Sequence, residues 1–244
     1  MLRKEIKNII KKNLAFVYYH FYKKYFNNVG NRTLIYHAFG SKLSHDTYGI
    51  SINIDKFKQH VRYLSDNYDF HDLKNPFNDQ FSISVTIDDG YKDTLDAVDI
   101  LDHHNIPFSL FITTDSINTK QYLSDKDILD ISNLDNAEIG SHGKSHNKLQ
   151  KMSYNEQKIE LEQSKAILEK ITNKKVNSIS FPHGSYNSTT IHLLHETKYE
   201  RAATSHKGFN NHKTNKYMIH RNEIINSDSI IELEKKIKGH YDFY

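Results

Sequence analysis

Beyond residue 30 the chain alternates between short apolar runs and longer stretches in which apolar side chains recur every third or fourth position. The short runs cover residues 33–39, 82–88, 108–114, 137–142, 177–182, 201–205 and 216–222, rich in β-branched and aromatic residues, and predict seven strands. Between several of them the period lengthens. "IDKFKQHVRYLSDN" (54–67) puts Phe57, Val61 and Leu64 on one helical face, and "YKDTLDAVDILDHHN" (91–105) does the same with Leu95, Val98 and Leu101. "SYNEQKIELEQSKAILEKI" (153–171) opens with Ser153 and Glu156 spaced as a capping box, then sets Leu161, Leu168 and Ile171 along a stripe. Strand–helix alternation implies a mainly parallel sheet of the α/β class. Seven strands of similar length suit an incomplete barrel better than an open sheet. The stretch 40–80 is the least legible.

Residues 1–30 read differently. "LRKEIKNIIKKNLAFVYYHFY" predicts an amphipathic, basic and aromatic helix ahead of a single domain over 31–244. Its apolar run is too short and too polar to span a bilayer, and no small-residue cleavage site follows it. Two roles remain open: packing on the domain, or peripheral contact with an anionic membrane surface through residues 1–28. The expected location is cytoplasmic, at most peripheral to a membrane.

Composition narrows the chemistry. Cysteine is absent, so disulfides and thiolate metal sites are excluded, and a metal must rely on His, Asp or Glu. Lys and Arg number 33 against 30 acids, a formal charge of +3, with no motif for base or phosphate readout; a nucleic-acid partner is not expected. Nine Gly and three Pro leave no room for long linkers.

Three strand ends carry polar groups. "VTIDDGYKD" places Asp88 and Asp89 side by side where the second run meets a glycine. Neighbouring residues on a strand point to opposite faces, so the pair is either an ordinary Asp–Gly turn or chemistry at the carboxyl end of a barrel strand. "EIGSHGKSHNKL" carries His142 and His146, whose i, i+4 spacing would set both imidazoles on one face of a helical turn. A carboxylate and two imidazoles around one cation make a three-ligand site with open positions. Asp89 would then be the ligand, leaving Asp88 to take a proton. "SISFPHGSYN" adds Pro182, His183 and Gly184, a tight turn able to expose a backbone N–H.

The order "TIDDGY", "SHGKSH", "FPHGSYN" resembles the polysaccharide deacetylases of the NodB-homology type, carbohydrate esterase family 4, over about residues 33–225. The resemblance implies a distorted (β/α)7 barrel that removes acetyl groups from N-acetylhexosamine units of a surface polysaccharide or its precursor. It makes Asp88 the general base, and Asp89, His142 and His146 the ligands of a divalent metal, zinc or a similar ion. The His183 backbone N–H would face the oxyanion, with Pro182 and Tyr91 at the substrate. Ser180 stands where the family often has an arginine, and Arg221 on a late strand takes the place of an alternative arginine that orients the base. The family's late histidine acid is not cleanly present; His220 and His37 are the candidates. Two other functions stay open: amide hydrolysis on a non-glycan substrate, and a catalytically impaired barrel that only binds glycan.

Overall fold

The computed structural model describes residues 2–21, 29–44, 46 and 48–242, with the backbone alone for 2–9 and 11. Residues 22–28 of the expected N-terminal extension, and 243–244, lie outside the described residues. A helix, α1 (Leu2–Phe21), precedes seven strands: β1 (Asn31–Tyr36), β2 (Ser82–Ile87), β3 (Phe108–Ile112), β4 (Ala137–Ser141), β5 (Ser178–Ser180), β6 (Arg201–Ala203) and β7 (Arg221–Glu223). Six further helices follow the strands: α2 (Ile54–Asn67), α3 (Thr94–His103), α4 (Asp125–Ser132), α5 (Tyr154–Thr172), α6 (Ser188–Glu196) and α7 (Ile230–Ile237).

All strand pairs are parallel, in the order β6-β5-β4-β3-β2-β1-β7. The two ends of this sheet approach each other at the bridge Ala203↔Ile219, where the lead-in to β7 hydrogen-bonds along β6. The result is a nearly closed seven-stranded (β/α) barrel, as the alternation of periods implied. The expected last strand over 216–222 needs correction: its first half makes that bridge, and regular pairing with β1 begins only at Arg221. The first run likewise stops at Tyr36, so His37, Ala38 and Phe39 leave the sheet.

Alternation along the strands sorts the side chains into two environments. Leu34, Tyr36, Val85, Ile87, Leu110, Ile112 and Ile179 join the continuous apolar core beneath the helices, where α2 contributes Phe57, Val61 and Leu64. Each fully buried residue of this kind is worth roughly 1.5–3 kcal/mol. The opposite faces fill the barrel, and there the residues are small and polar: Ser84, Thr86, Ser109, Ser178 and Ser180, beside one small apolar group of Phe111, Ala203 and Ile219. Gly140 is required by this packing, because a Cβ there would lie 2.5 Å from the Phe111 ring. The capping box of α5 forms as expected, Ser153 and Glu156 satisfying each other's backbone N–H. The buried face of α5 carries Gln157, Glu160 and Ser164 as well as Leu161 and Leu168, while Ile171 is only partly buried.

Candidate active site

The carboxyl ends of β1, β2, β4 and β5 converge on a cavity of about 660 Å³ whose wall includes His37, Asp88, Asp89, His142, His146 and His183. The adjacent carboxylates share this cavity for a backbone reason. β2 ends at Ile87, and Asp89 adopts a left-handed conformation, φ 75°, which removes the strand alternation that would separate them. His146 (φ 60°) and His183 (φ 56°) are also left-handed. Such residues cost of order 1–3 kcal/mol each and collect where the surroundings over-determine the backbone.

Asp88 is 3 % exposed and clamped from behind. Arg221 donates from Nη1 to Oδ1 and from Nη2 to Oδ2, both at 2.8 Å. Its remaining N–H groups reach the Ser180 hydroxyl (2.6 Å), the Thr86 hydroxyl (3.1 Å) and the Thr204 carbonyl (2.9 Å). All five donors of a guanidinium that is 1 % exposed are thereby used. The Ser180 hydroxyl in turn donates to Asp88 Oδ2 at 2.9 Å. A serine at this position leaves the space that the late-strand guanidinium fills. Burial pushes the Asp88 carboxyl up, but Arg221 and then His142 outweigh it and hold it below the ordinary carboxylate value. The group is an ionised acceptor throughout the neutral range.

Asp89, His142 and His146 form a second cluster, their ligand-type atoms all within 4.8 Å of one another. His142 Nε2 and His146 Nε2 approach Asp89 Oδ1 at 3.3 and 3.2 Å, without the alignment of hydrogen bonds, so that buried oxygen has no hydrogen-bond partner among the described residues. His142 Nδ1 lies 2.9 Å from the Ser180 carbonyl, which can only accept. The proton therefore belongs on Nδ1, and the Nε2 lone pair of the neutral ring is directed at the cluster. Burial disfavours charge on His142, yet Asp88 and Asp89 overcome it and raise the imidazole, which marks a position that favours positive charge. Burial likewise raises Asp89, but the two imidazoles bring it well below the usual range. An unpartnered carboxylate oxygen, an imidazole of fixed tautomer and a second imidazole fit one divalent cation.

The two histidines do not meet on a helical turn, as their spacing suggested. His142 follows β4 directly and the chain to His146 is a loop. Glu160 of α5 shapes that loop: its Oε2 accepts from the Lys144 and Ser145 N–H groups at 2.7 and 2.9 Å, and Oε1 from the Ser145 hydroxyl at 2.6 Å. Gly143 bends the loop at φ 74°, where a Cβ would press on Pro182 Cγ at 3.2 Å.

The other expected residues separate into wall and support. His183 is exposed, its Nε2 3.1 Å from the His146 carbonyl, and burial followed by the neighbouring His146 lowers its pKa. Pro182 is buried behind Gly143 rather than on the cavity wall. Tyr91, expected at the substrate, is also inside: it is 2 % exposed, stacks on Tyr122, and burial together with the Asp89 charge raises its phenol. His220 lies outside the site, against Gly208 and with its backbone N–H bonded to Asn210. His37 stands at the end of β1 on the cavity wall, and its buried Nδ1 has no hydrogen-bond partner among the described residues. Asp93 fixes the chain after it, one carboxylate oxygen accepting from the Phe39 and Ser41 N–H groups at 2.8 Å each. Glu160 and Asp93 escaped sequence reasoning. The only signal for Glu160 was an acid on the buried side of an amphipathic helix, and for Asp93 an acid in the turn ahead of α3.

Residues 77–202 match the family model described as polysaccharide deacetylase. Among individual proteins, YxkH of Bacillus subtilis (strain 168), which carries the name of a polysaccharide deacetylase, is 26 % identical over 203 residues, covering 77 % of this chain and 69 % of its own. The fold is similar to that of the deacetylase PplD of Streptococcus pyogenes, solved in complex with acetate. That match has a TM-score of 0.75 at 22 % identity and covers 86 % of this chain and 99 % of PplD. It is also similar to IcaB of Ammonifex degensii, with TM-score 0.71, 17 % identity, and 86 % and 98 % coverage.

Proposed function

Since the chain belongs to the polysaccharide deacetylase family, we propose that it is a metal-dependent N-deacetylase acting on N-acetylhexosamine units of a surface polysaccharide or its precursor. One observation carries the reading. An ionised carboxylate clamped by a saturated guanidinium stands beside an Asp–His–His cluster whose central oxygen has no hydrogen-bond partner among the described residues. A barrel that only bound glycan would have no use for a base held beside such a cluster. The acetate bound by PplD belongs to the same product class.

Asp89, His142 and His146 would hold the divalent ion, zinc being the ion best suited to this donor set. When bound, it would polarise the acyl carbonyl and make water more acidic. Asp88 accepts the proton of the attacking water. It remains ionised because Arg221 holds it so, and Arg221 and Ser180 together fix its direction. The His183 backbone N–H donates to the carbonyl oxygen as negative charge develops there, a role that does not depend on the imidazole. His37, on the cavity wall at the end of β1, supplies the proton that the departing amine needs. The products are acetate and a free amino sugar.

Acetate release from a panel of N-acetylhexosamine oligomers, with zinc supplied, tests the reading. Asp88→Asn should lower kcat by about 10²–10⁴ and His37→Ala by a similar factor. Turnover that survives Asp88→Asn would remove the general-base assignment, and acetate release that is indifferent to chelation would remove the metal.

A further inference from the structure

Helix α1 is attached to the barrel by one side. Lys12 Nζ lies 3.7 Å from Glu232 of α7, Ala15 is buried, and Tyr19 stacks on His240 with ring centroids 3.5 Å apart. On the opposite side Ile10, Leu14, Val17 and Phe21 recur at i, i+4, i+7 and i+11, a single helical stripe. They are 52 %, 53 %, 48 % and 69 % exposed. A helix that only packed on the domain would turn polar residues to water here. This one has the apolar stripe facing outward.

Charge decides what covers it. Residues 1–28 hold seven Lys and Arg against one acid, Glu5. A second copy would bring the same positive charge against itself, whereas an anionic bilayer attracts it by about 1 kcal/mol per basic residue near the surface. Large apolar side chains on one face and basic residues around it are the features of a helix lying in the headgroup region. No described helix is long and apolar enough to cross a membrane.

The direction of the helix adds a consequence. Contacts of Lys12 with Glu232 and of Tyr19 with His240 make α1 parallel to α7. Lys12 also borders a cleft with Ile225, Ser227 and Asp228, which directly follow β7. The start of α1 therefore points toward the carboxyl ends of the strands, where the candidate site opens. The ten residues before Lys12 span about 15 Å of helix in that direction.

We propose that α1 binds the surface of an anionic lipid bilayer through Ile10, Leu14, Val17 and Phe21, with its start toward the end of the barrel where the candidate site opens. The inference stands independently of the proposed substrate. The test is cosedimentation of the full chain with vesicles of phosphatidylcholine alone or mixed with phosphatidylglycerol. The wild type should partition onto the mixed vesicles, weakly onto the neutral ones, and less as salt is raised. Leu14→Gln/Val17→Gln should weaken partition roughly tenfold or more without moving the thermal midpoint. Lys7→Glu/Lys11→Glu, which leaves the apolar stripe intact, should weaken it at least about tenfold as well. Wild-type protein that stays in the supernatant with the mixed vesicles overturns the proposal, as does glutamine-variant protein that still sediments. An oligomer that the glutamine variant converts to monomer, with no vesicle binding by the wild type, would assign the face to a second copy instead.

Discussion

Replacing Arg221 by methionine removes the guanidinium and keeps much of the buried stem. In the native barrel both members of the Asp88–Arg221 pair are almost wholly enclosed, and the guanidinium has an acceptor for every N–H. At an effective dielectric near 20 and about 4 Å between charge centres, the attraction is about 4 kcal/mol. Leaving one buried charge unpaired costs about 3–5 kcal/mol by comparison with other buried pairs. For a chain of this size that lowers the thermal midpoint by roughly 6–20 °C. The sign of the pH dependence follows from the same residues. In the wild type Arg221 holds Asp88 below 3.8, so the pair contributes stability at neutral pH that is lost as pH falls through that depressed value. Without Arg221, burial is the leading influence and raises the carboxyl. The variant then recovers stability as Asp88 takes up a proton, and the gap to wild type narrows in acid. Urea titrations at neutral and acid pH measure both effects. Adding Asp88→Asn to Arg221→Met should return most of the loss, because no buried charge is then left over. A single-variant cost below about 1 kcal/mol, or a double variant no more stable than Arg221→Met, would refute the argument.

Other expectations rest on separate features. Glu160→Ala releases the three hydrogen bonds that hold the loop between His142 and His146, and should weaken divalent-metal affinity by about 10–100-fold, read by calorimetric titration. Gly140→Ala drives a methyl into the Phe111 ring and the Ser178 hydroxyl, and should cost about 1–3 kcal/mol by urea unfolding; a neutral result would mean the barrel interior relaxes freely. His60 is fully buried between the Tyr36 hydroxyl and the Asp228 carbonyl, and burial pushes its pKa down from 6.5 to about 4. A histidine held neutral makes folding weaker as pH falls from 6.5 toward 4. At 1.36 kcal/mol per pH unit this amounts to roughly 3 kcal/mol, and His60→Gln should remove that part of the acid sensitivity.

What the sequence determined by itself was local. The change from period 2 to period 3.6 identified the strands and the helices over 54–67, 91–105 and 153–171, because side-chain direction repeats with backbone geometry and needs no distant partner. Ser153 and Glu156 could be read as a cap for the same reason. The composition confined any metal to His and carboxylate ligands. The three short motifs were legible as types and in order. Only the tertiary structure decided where they point. The spacing of His142 and His146 gave the right pair and the wrong local geometry, since a strand end and a loop tied by Glu160 replace the helical turn. Tyr91 reads as a residue at a motif and folds inward, because its burial depends on Tyr122, thirty-one positions away. Arg221 could be paired with Asp88 only by resemblance. The bond itself exists because β7 closes beside β1 and brings together residues 133 apart in the chain. The apolar stripe of α1 was visible as a pattern, but a stripe can face the protein or the solvent. The contacts of Lys12, Ala15 and Tyr19 turned it outward, since burying one side of a helix leaves the other for whatever surface lies beyond.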